Sequence, residues 1–275
     1  PTVFCHFLAT QYSLPFSLSK YPLSPILAFF KYLSFVSKYL SSSDHHISSF
    51  WKGVFPILFV VLLIFGLIML QPDFGTGFII VCSCLALLFV AGVSLSFFLG
   101  GGVVGVAGIV LLILIAPYRL KRITSFMDPW KDELGTGFQI IQSLYAIGPG
   151  GLLGEGYLNS IQKHFYLPEP QTDFIFSIIS EELGIFGIMI LLLLFGILCY
   201  RGFSISYHSN DLFSKYLSFG ITFQILFQML LNIMVVVGLI PVTGVTLPFI
   251  SYGGSSLLIS MASIGIILSI SRFTV

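Results

Sequence analysis

From Gly53 to Leu70 the chain reads GVFPILFVVLLIFGLIML, without a single charge. A run of this length and apolarity is what a bilayer-crossing helix requires. Leu183–Cys199 repeats the pattern. Both runs are continuous rather than alternating, which argues against a transmembrane β-barrel. Hydrophobic residues make up 56% of the 275-residue chain and charged residues 8%, where a soluble domain carries about 25% charged. The expected fold class is therefore all-α, a polytopic membrane helical bundle. A net charge of +1 provides no basic field for nucleic acid, and no such partner is expected.

Seven spans are expected, at roughly 24–40, 54–71, 77–93, 98–116, 177–200, 213–238 and 252–271. The first is the weakest, because Lys31 and Lys38 interrupt it. The fourth opens FFLGGGVVGVAG, which suits a helix packed tightly against its neighbours. One connection is long: residues 117–176, expected as a loop, hold six of the eleven acidic and five of the twelve basic residues. With alternate loops on opposite sides, one face carries Lys38, Lys52, Arg201, Lys215 and Arg272. The other carries Arg119, Lys121, Arg122, Lys131 and Lys163, so the positive-inside rule ties. Cys5, Cys82, Cys84 and Cys199 are scattered. Cys82-Ser83-Cys84 has no His or second Cys pair near it, which favours apolar filler over metal.

Polar clusters break the apolar text. In LQPDFGTG (70–77), Pro72 and Gly75 stop a helix and Asp73 is placed to accept hydrogen bonds from amides of the next one. Arg119, Lys121 and Arg122 follow a span, where they suit either lipid headgroups or the oxygens of a diphosphate. Trp130 suits an interface anchor. Glycines 148, 150, 151, 154 and 156 either permit turns or cradle phosphate, and no nucleotide-loop pattern accompanies them. Lys163 and His164 then lead into YLPEPQTDFIFSIISEELG, where Thr172 or Asp173 is expected to cap a helix. Asp173, Ser177 and Glu181 fall near one helix face, with Glu182 about 100° from Glu181. Carboxylates in an apolar wall mark a functional site or a paired structural network. A cap explains Asp173 but not Glu181 and Glu182. Finally, VTGVTLPFISYGGSS brings irregular backbone to membrane depth, tolerated where it is buried in protein or lines a wet cavity. This loop, QPDFGTG and the long connection fall on the same face.

Together the motifs LQPDFGTG, PYRLKRITSFMDPW, GTGFQIIQSLYAIGPGGLLGEG, YLPEPQTDFIFSIISEELG and GLIPVTGVTLPFISYGGSSLL resemble the SEDS family of bacterial shape, elongation, division and sporulation proteins. The resemblance runs from about residue 52 to the end. It is closer to the division and sporulation branch (FtsW and SpoVE) than to the elongation branch (RodA). It implies a ten-span fold of which this chain holds about the last seven, with the long loop extracellular, in the bacterial cytoplasmic membrane. It also implies a glycosyltransferase that polymerises lipid II into β-1,4 glycan, leaving undecaprenyl diphosphate, for division or spore cortex. The family's catalytic aspartate falls on Asp173. Arg119, Arg122, Lys163, Gln171 and Ser251 are expected to bind substrate, and Asp73, Glu181 and Glu182 to support the site. A class B penicillin-binding protein transpeptidase, with divisome or sporulation proteins, is the implied partner set. Mg2+ between Asp173 and a diphosphate is conceivable, though no dedicated ligand cage is visible. The alternatives are a lipid II flippase, or a scaffold positioning a transpeptidase.

The chain also departs from the family. Near Ser24 it shows Pro25 and Phe29 where the resemblance calls for Glu and Lys, and the first three family spans are not in it. Residues 1–23 are therefore expected to be an atypical segment and 24–275 the membrane domain, in a chain truncated or disturbed at its start.

Overall fold

The computed structural model describes residues 23–42, 53–70, 73–115, 117–133, 135, 137–165, 167–168 and 170–274. The expectation for residues 1–23, Leu23 aside, lies outside them, as do Cys5, Lys52 and Glu169. No strand occurs among the described residues. Every expected span has a helix at its position: α1 (Leu23–Ser42), α2 (Phe55–Met69), α3 (Phe74–Val90), α4 (Leu95–Ile115), then α8 (Ile175–His208), α9 (Leu212–Val236) and α10 (Gly254–Ser271). The last three are each long and apolar enough to cross a bilayer, whereas α2 and α3 are shorter apolar helices. The chain is a polytopic helical membrane protein.

Segment 117–176 is not the loop its charges suggested. It folds into α5 (Pro117–Met127), a 3-10 turn (Pro129–Asp132), α6 (Phe138–Ile147) and the short α7 (Gln162–Phe165). α6 buries Ile140, Ile141, Ser143 and Ala146 and packs against α8 and α9. The hydroxyl of Ser143 donates to the Val236 carbonyl at 2.8 Å, at the end of α9. Trp130 is half exposed and meets Tyr145 edge-on, with ring centroids 5.9 Å apart.

α9 is the centre of the bundle, packed against α8, α1 and α3. Ile221, Ile225 and Met229 recur along its buried stripe at helical spacing and meet Leu33 and Val36 of α1 and Leu87 of α3 in one core. Cys84 sits in that core as apolar filler. α4 contradicts its sequence. A methyl built on Gly100, Gly101, Gly102, Gly105 or Gly108 meets nothing within 4 Å, so these glycines serve no close approach among the described residues.

α8 holds the largest departure. Gly184 interrupts it with φ 63° and ψ −161°, so the span read as continuous is two helical pieces meeting at a break. A break frees backbone groups that lipid cannot satisfy. The glycine-rich segment satisfies them: Glu155 and Gly156 amides donate to the Glu181 and Glu182 carbonyls at 2.9 and 3.1 Å. In return, the Ile185 and Phe186 amides donate to the Gly151 and Leu152 carbonyls at 3.0 and 3.2 Å. This explains two of the glycines. A Cβ on Gly150 would overlap the Ser180 carbonyl oxygen, and one on Gly154 that of Glu182. They permit backbone to lie against backbone, and Gly151, Gly154 and Gly156, at φ 48°, 79° and 100°, also make the turns expected of this segment.

Candidate active site

Asp173 lies in a turn directly before α8, partly buried. The cap position of α8 falls on Phe174, one residue after the expected one, and the Ser177 hydroxyl donates back to the Phe174 carbonyl at 2.7 Å. The turn is held by its carbonyls. The Gln171 carbonyl accepts from the Tyr252 amide at 2.8 Å, and that of Thr172 from the Ser251 hydroxyl at 2.5 Å. The Asp173 carbonyl accepts from the side-chain amide of Asn232 at 2.7 Å. Three successive carbonyls are thus tied to other parts of the chain.

The partner of this turn is the irregular segment between α9 and α10. The Ser251 hydroxyl, besides binding Thr172, accepts from the Leu247 amide at 2.7 Å. Gln228 donates to the Thr246 carbonyl at 2.9 Å and Asn232 to that of Val245 at 2.7 Å. Gly244, at φ 75°, places its Cα so that an added Cβ would lie 3.8 Å from Asp173 Oδ2. The carboxylate therefore faces the Gly244 turn. Phe249 also adopts a left-handed φ of 66°, unusual for an aromatic residue.

The third polar loop joins them. Asp73 accepts from the Thr76 amide at 3.0 Å, capping α3. A Cβ on Gly75 would stand 2.5 Å from Val245 Cγ2 and 2.8 Å from the Thr243 carbonyl oxygen, so the start of α3 presses on the same segment. From the other side Arg122 of α5 donates to the Val242 carbonyl at 3.1 Å. Arg122, Gln139, Pro168 and Val242 line a half-open pocket of about 430 Å³. The structure brings Asp173, Ser251, Gln171, Asp73 and Arg122 to one irregular segment. Arg119 lies on α5, three positions before Arg122.

Lys163, Glu181 and Glu182 gather elsewhere, at the break in α8. Buried Glu181 accepts from the Ser160 hydroxyl at 2.5 Å and from the Ile161 and Gln162 amides at 2.9 and 3.4 Å. Glu182 accepts from the Leu158 amide at 3.1 Å and pairs with Lys163 Nζ at 2.6 Å. Their carboxylates hold residues 158–163 against α8, as their carbonyls hold the glycine segment. The pair is largely buried, with side-chain exposures of 20% and 9%. Lys163→Met should therefore cost about 1–3 kcal/mol by stranding Glu182. Adding Glu182→Gln should recover most of that loss. Thermal unfolding of the detergent-solubilised single and double variants checks this, and equal losses in both would contradict it.

Among the described residues, no three His, Cys, Asp or Glu side chains gather where they could hold a metal ion. A Mg2+ ion at Asp173 would take its remaining ligands from a substrate diphosphate and water.

Asn232 had drawn no attention in the sequence, although a carboxamide inside an apolar helix is itself a signal. The Gly184 break had one too, a glycine in mid-span with a glycine-rich segment upstream to fill it.

The sequence and fold are similar to those of known proteins. The profile of the FtsW/RodA/SpoVE cell cycle proteins matches residues 27–275. Stage V sporulation protein E of Bacillus subtilis (strain 168) is 52% identical over 88% of this chain and 66% of its own length. A probable peptidoglycan glycosyltransferase FtsW of Coxiella burnetii is 46% identical over 88% of this chain and 64% of its own length. The chain thus spans just under two thirds of these relatives. Among solved structures, a chain of a peptidoglycan synthase complex, described as coordinating polymerization and crosslinking, superposes with a TM-score of 0.73 and 31% identity. That match covers 90% of this chain and 69% of the other. The rod shape determining protein RodA of Thermus thermophilus gives a TM-score of 0.62 and 28% identity, over 90% and 65%. With nearly all of its helical part matched by the profile, the chain belongs to the FtsW/RodA/SpoVE family of cell cycle proteins.

Proposed function

We propose that this chain is the membrane part of a peptidoglycan glycosyltransferase, which polymerises lipid II on the outer face of the cytoplasmic membrane with Asp173 as general base. The observation that carries the reading is the Asp173 turn: an acidic side chain at the membrane boundary, on backbone held by three successive carbonyl bonds, facing an irregular loop. The names of the relatives, one of them a probable peptidoglycan glycosyltransferase, support the same reaction.

The 4-hydroxyl of one sugar attacks C1 of the lipid-linked glycan. Its oxygen forms the new bond while its proton passes to the Asp173 carboxylate. The C1–oxygen bond to the diphosphate breaks, and undecaprenyl diphosphate leaves with the electron pair. Attack opposite the leaving group turns an α-linked donor into a β-1,4 link. Arg119 and Arg122 neutralise the departing diphosphate. Lys163 would have to leave Glu182 to join them. Gln171 and Ser251 border the path of the sugar. No step is routed through a metal ion.

The partner proposed is a class B penicillin-binding protein transpeptidase, within the division or sporulation machinery, in line with the synthase complex among the structural neighbours. The experiment is to reconstitute the protein in vesicles with labelled lipid II and size the product by gel. Lysozyme-sensitive polymer is expected. Transfer of label across the bilayer without polymer would replace the reading by a flippase, and transpeptidase binding without either by a scaffold.

A further inference from the structure

Asn232 lies in the last turns of α9 and is 1% exposed. Its side-chain nitrogen donates to the Asp173 carbonyl and to the Val245 carbonyl, both at 2.7 Å. Two carbonyl acceptors consume both hydrogens of the amide, which fixes which end of the carboxamide is nitrogen. The two carbonyls are remote in the chain, 59 and 13 positions from Asn232, and belong to the two segments that meet at the site. Its oxygen is buried and finds no partner among the described residues. An isolated buried polar group disfavours a position that leucine could fill, so the two donated bonds are what the amide contributes there. One turn earlier Gln228 grips Thr246 in the same way, so α9 holds the loop at two adjacent residues.

We infer that Asn232 is a positioning residue for the reaction. Both hydrogen bonds of its side-chain nitrogen go to backbone carbonyls. It clamps the Asp173 backbone to the Val245 backbone, and thereby sets the distance between the carboxylate and the loop it faces at Gly244. This rests on Asp173 being the base. Misplacement of a reacting group by about 1 Å can cost about 10²-fold in rate, so the clamp acts on turnover rather than on affinity.

The test is the substrate dependence of polymerisation by the reconstituted full chain, comparing Asn232→Leu and Asn232→Ser with the unsubstituted protein. Leucine matches the shape and donates nothing, and kcat is expected to fall by about 10- to 100-fold with KM changed less than about threefold. Serine keeps one donor and should lie between. Rates are normalised to the monodisperse fraction. If Leu gives no folded protein, the kcat and KM of Ser decide. An unchanged kcat would overturn the inference, leaving a packing role. A raised KM at constant kcat would overturn it in favour of substrate contact. If Asp173→Asn polymerises normally, the base assignment fails first. If that variant is inactive and Asn232→Leu is fully active, only the clamp fails.

Discussion

Asp173→Asn is expected to remove glycan polymerisation from the reconstituted protein, with turnover down by at least about 10²- to 10⁴-fold, while the protein still folds and still binds a transpeptidase partner. The contrast follows from how the turn is built. Asparagine has the shape of aspartate but cannot take a proton from a sugar hydroxyl. The bonds that hold the turn run through the carbonyls of Gln171, Thr172 and Asp173, which the substitution leaves in place. The cap position of α8 is Phe174, so the helix start does not depend on the identity of residue 173 as its cap. Thermal stability should accordingly move by no more than about 1 kcal/mol. Polymer at the ordinary rate from this variant would remove Asp173 from the chemistry. A collapse in stability would return it to a structural role.

Gly184→Ala is expected to be severely destabilising. At φ 63° and ψ −161° the residue occupies a region open essentially to glycine alone. The added carbon would also stand 2.5 Å from the Gly154 nitrogen, 2.7 Å from the Leu152 oxygen and 2.8 Å from the Gly150 oxygen. All three are backbone atoms, so no side chain can swing aside. A loss of about 3 kcal/mol or more is expected, read as a lowered unfolding temperature or a vanishing monodisperse peak. Gly196→Ala is the matched comparison. It lies in the same helix with nothing within 4 Å of the new carbon, and it should be neutral or mildly stabilising. Indistinguishable unfolding of the two variants would refute the account of the break.

The helices of the bundle were legible because apolar length is a strong signal, and α8, α9 and α10 start within a few residues of their expected positions. The acidic patch was legible because carboxylates are costly near lipid. What it does was only partly so. Glu181 and Glu182 stand beside Asp173 in sequence, yet their partners are Ser160, Leu158 and Lys163, contacts between segments about twenty positions apart. α5 and α6 were hidden because charge and glycine in 117–176 read as loop. The apolar residues of α6 acquire a face only once α8 and α9 are present to receive it. The α4 glycines misled because small residues permit close approach without requiring it. Gly184 was hidden since one glycine in an apolar run is compatible with an unbroken helix. Only the bonds from Glu155, Gly156, Ile185 and Phe186 distinguish a break from a helix.

That break divides the molecule mechanically. An unbroken helix passes displacement along its hydrogen-bond ladder, so a residue at its outer end would move with the part anchored in the bilayer. Here the ladder is cut at Gly184, and the outer stub Ile175–Leu183 is bonded sideways to residues 150–163. The Asp173 turn therefore lies between that stub and the segment joining α9 to α10, and a push on residues 150–163 reaches it through lateral bonds rather than along the ladder of α8.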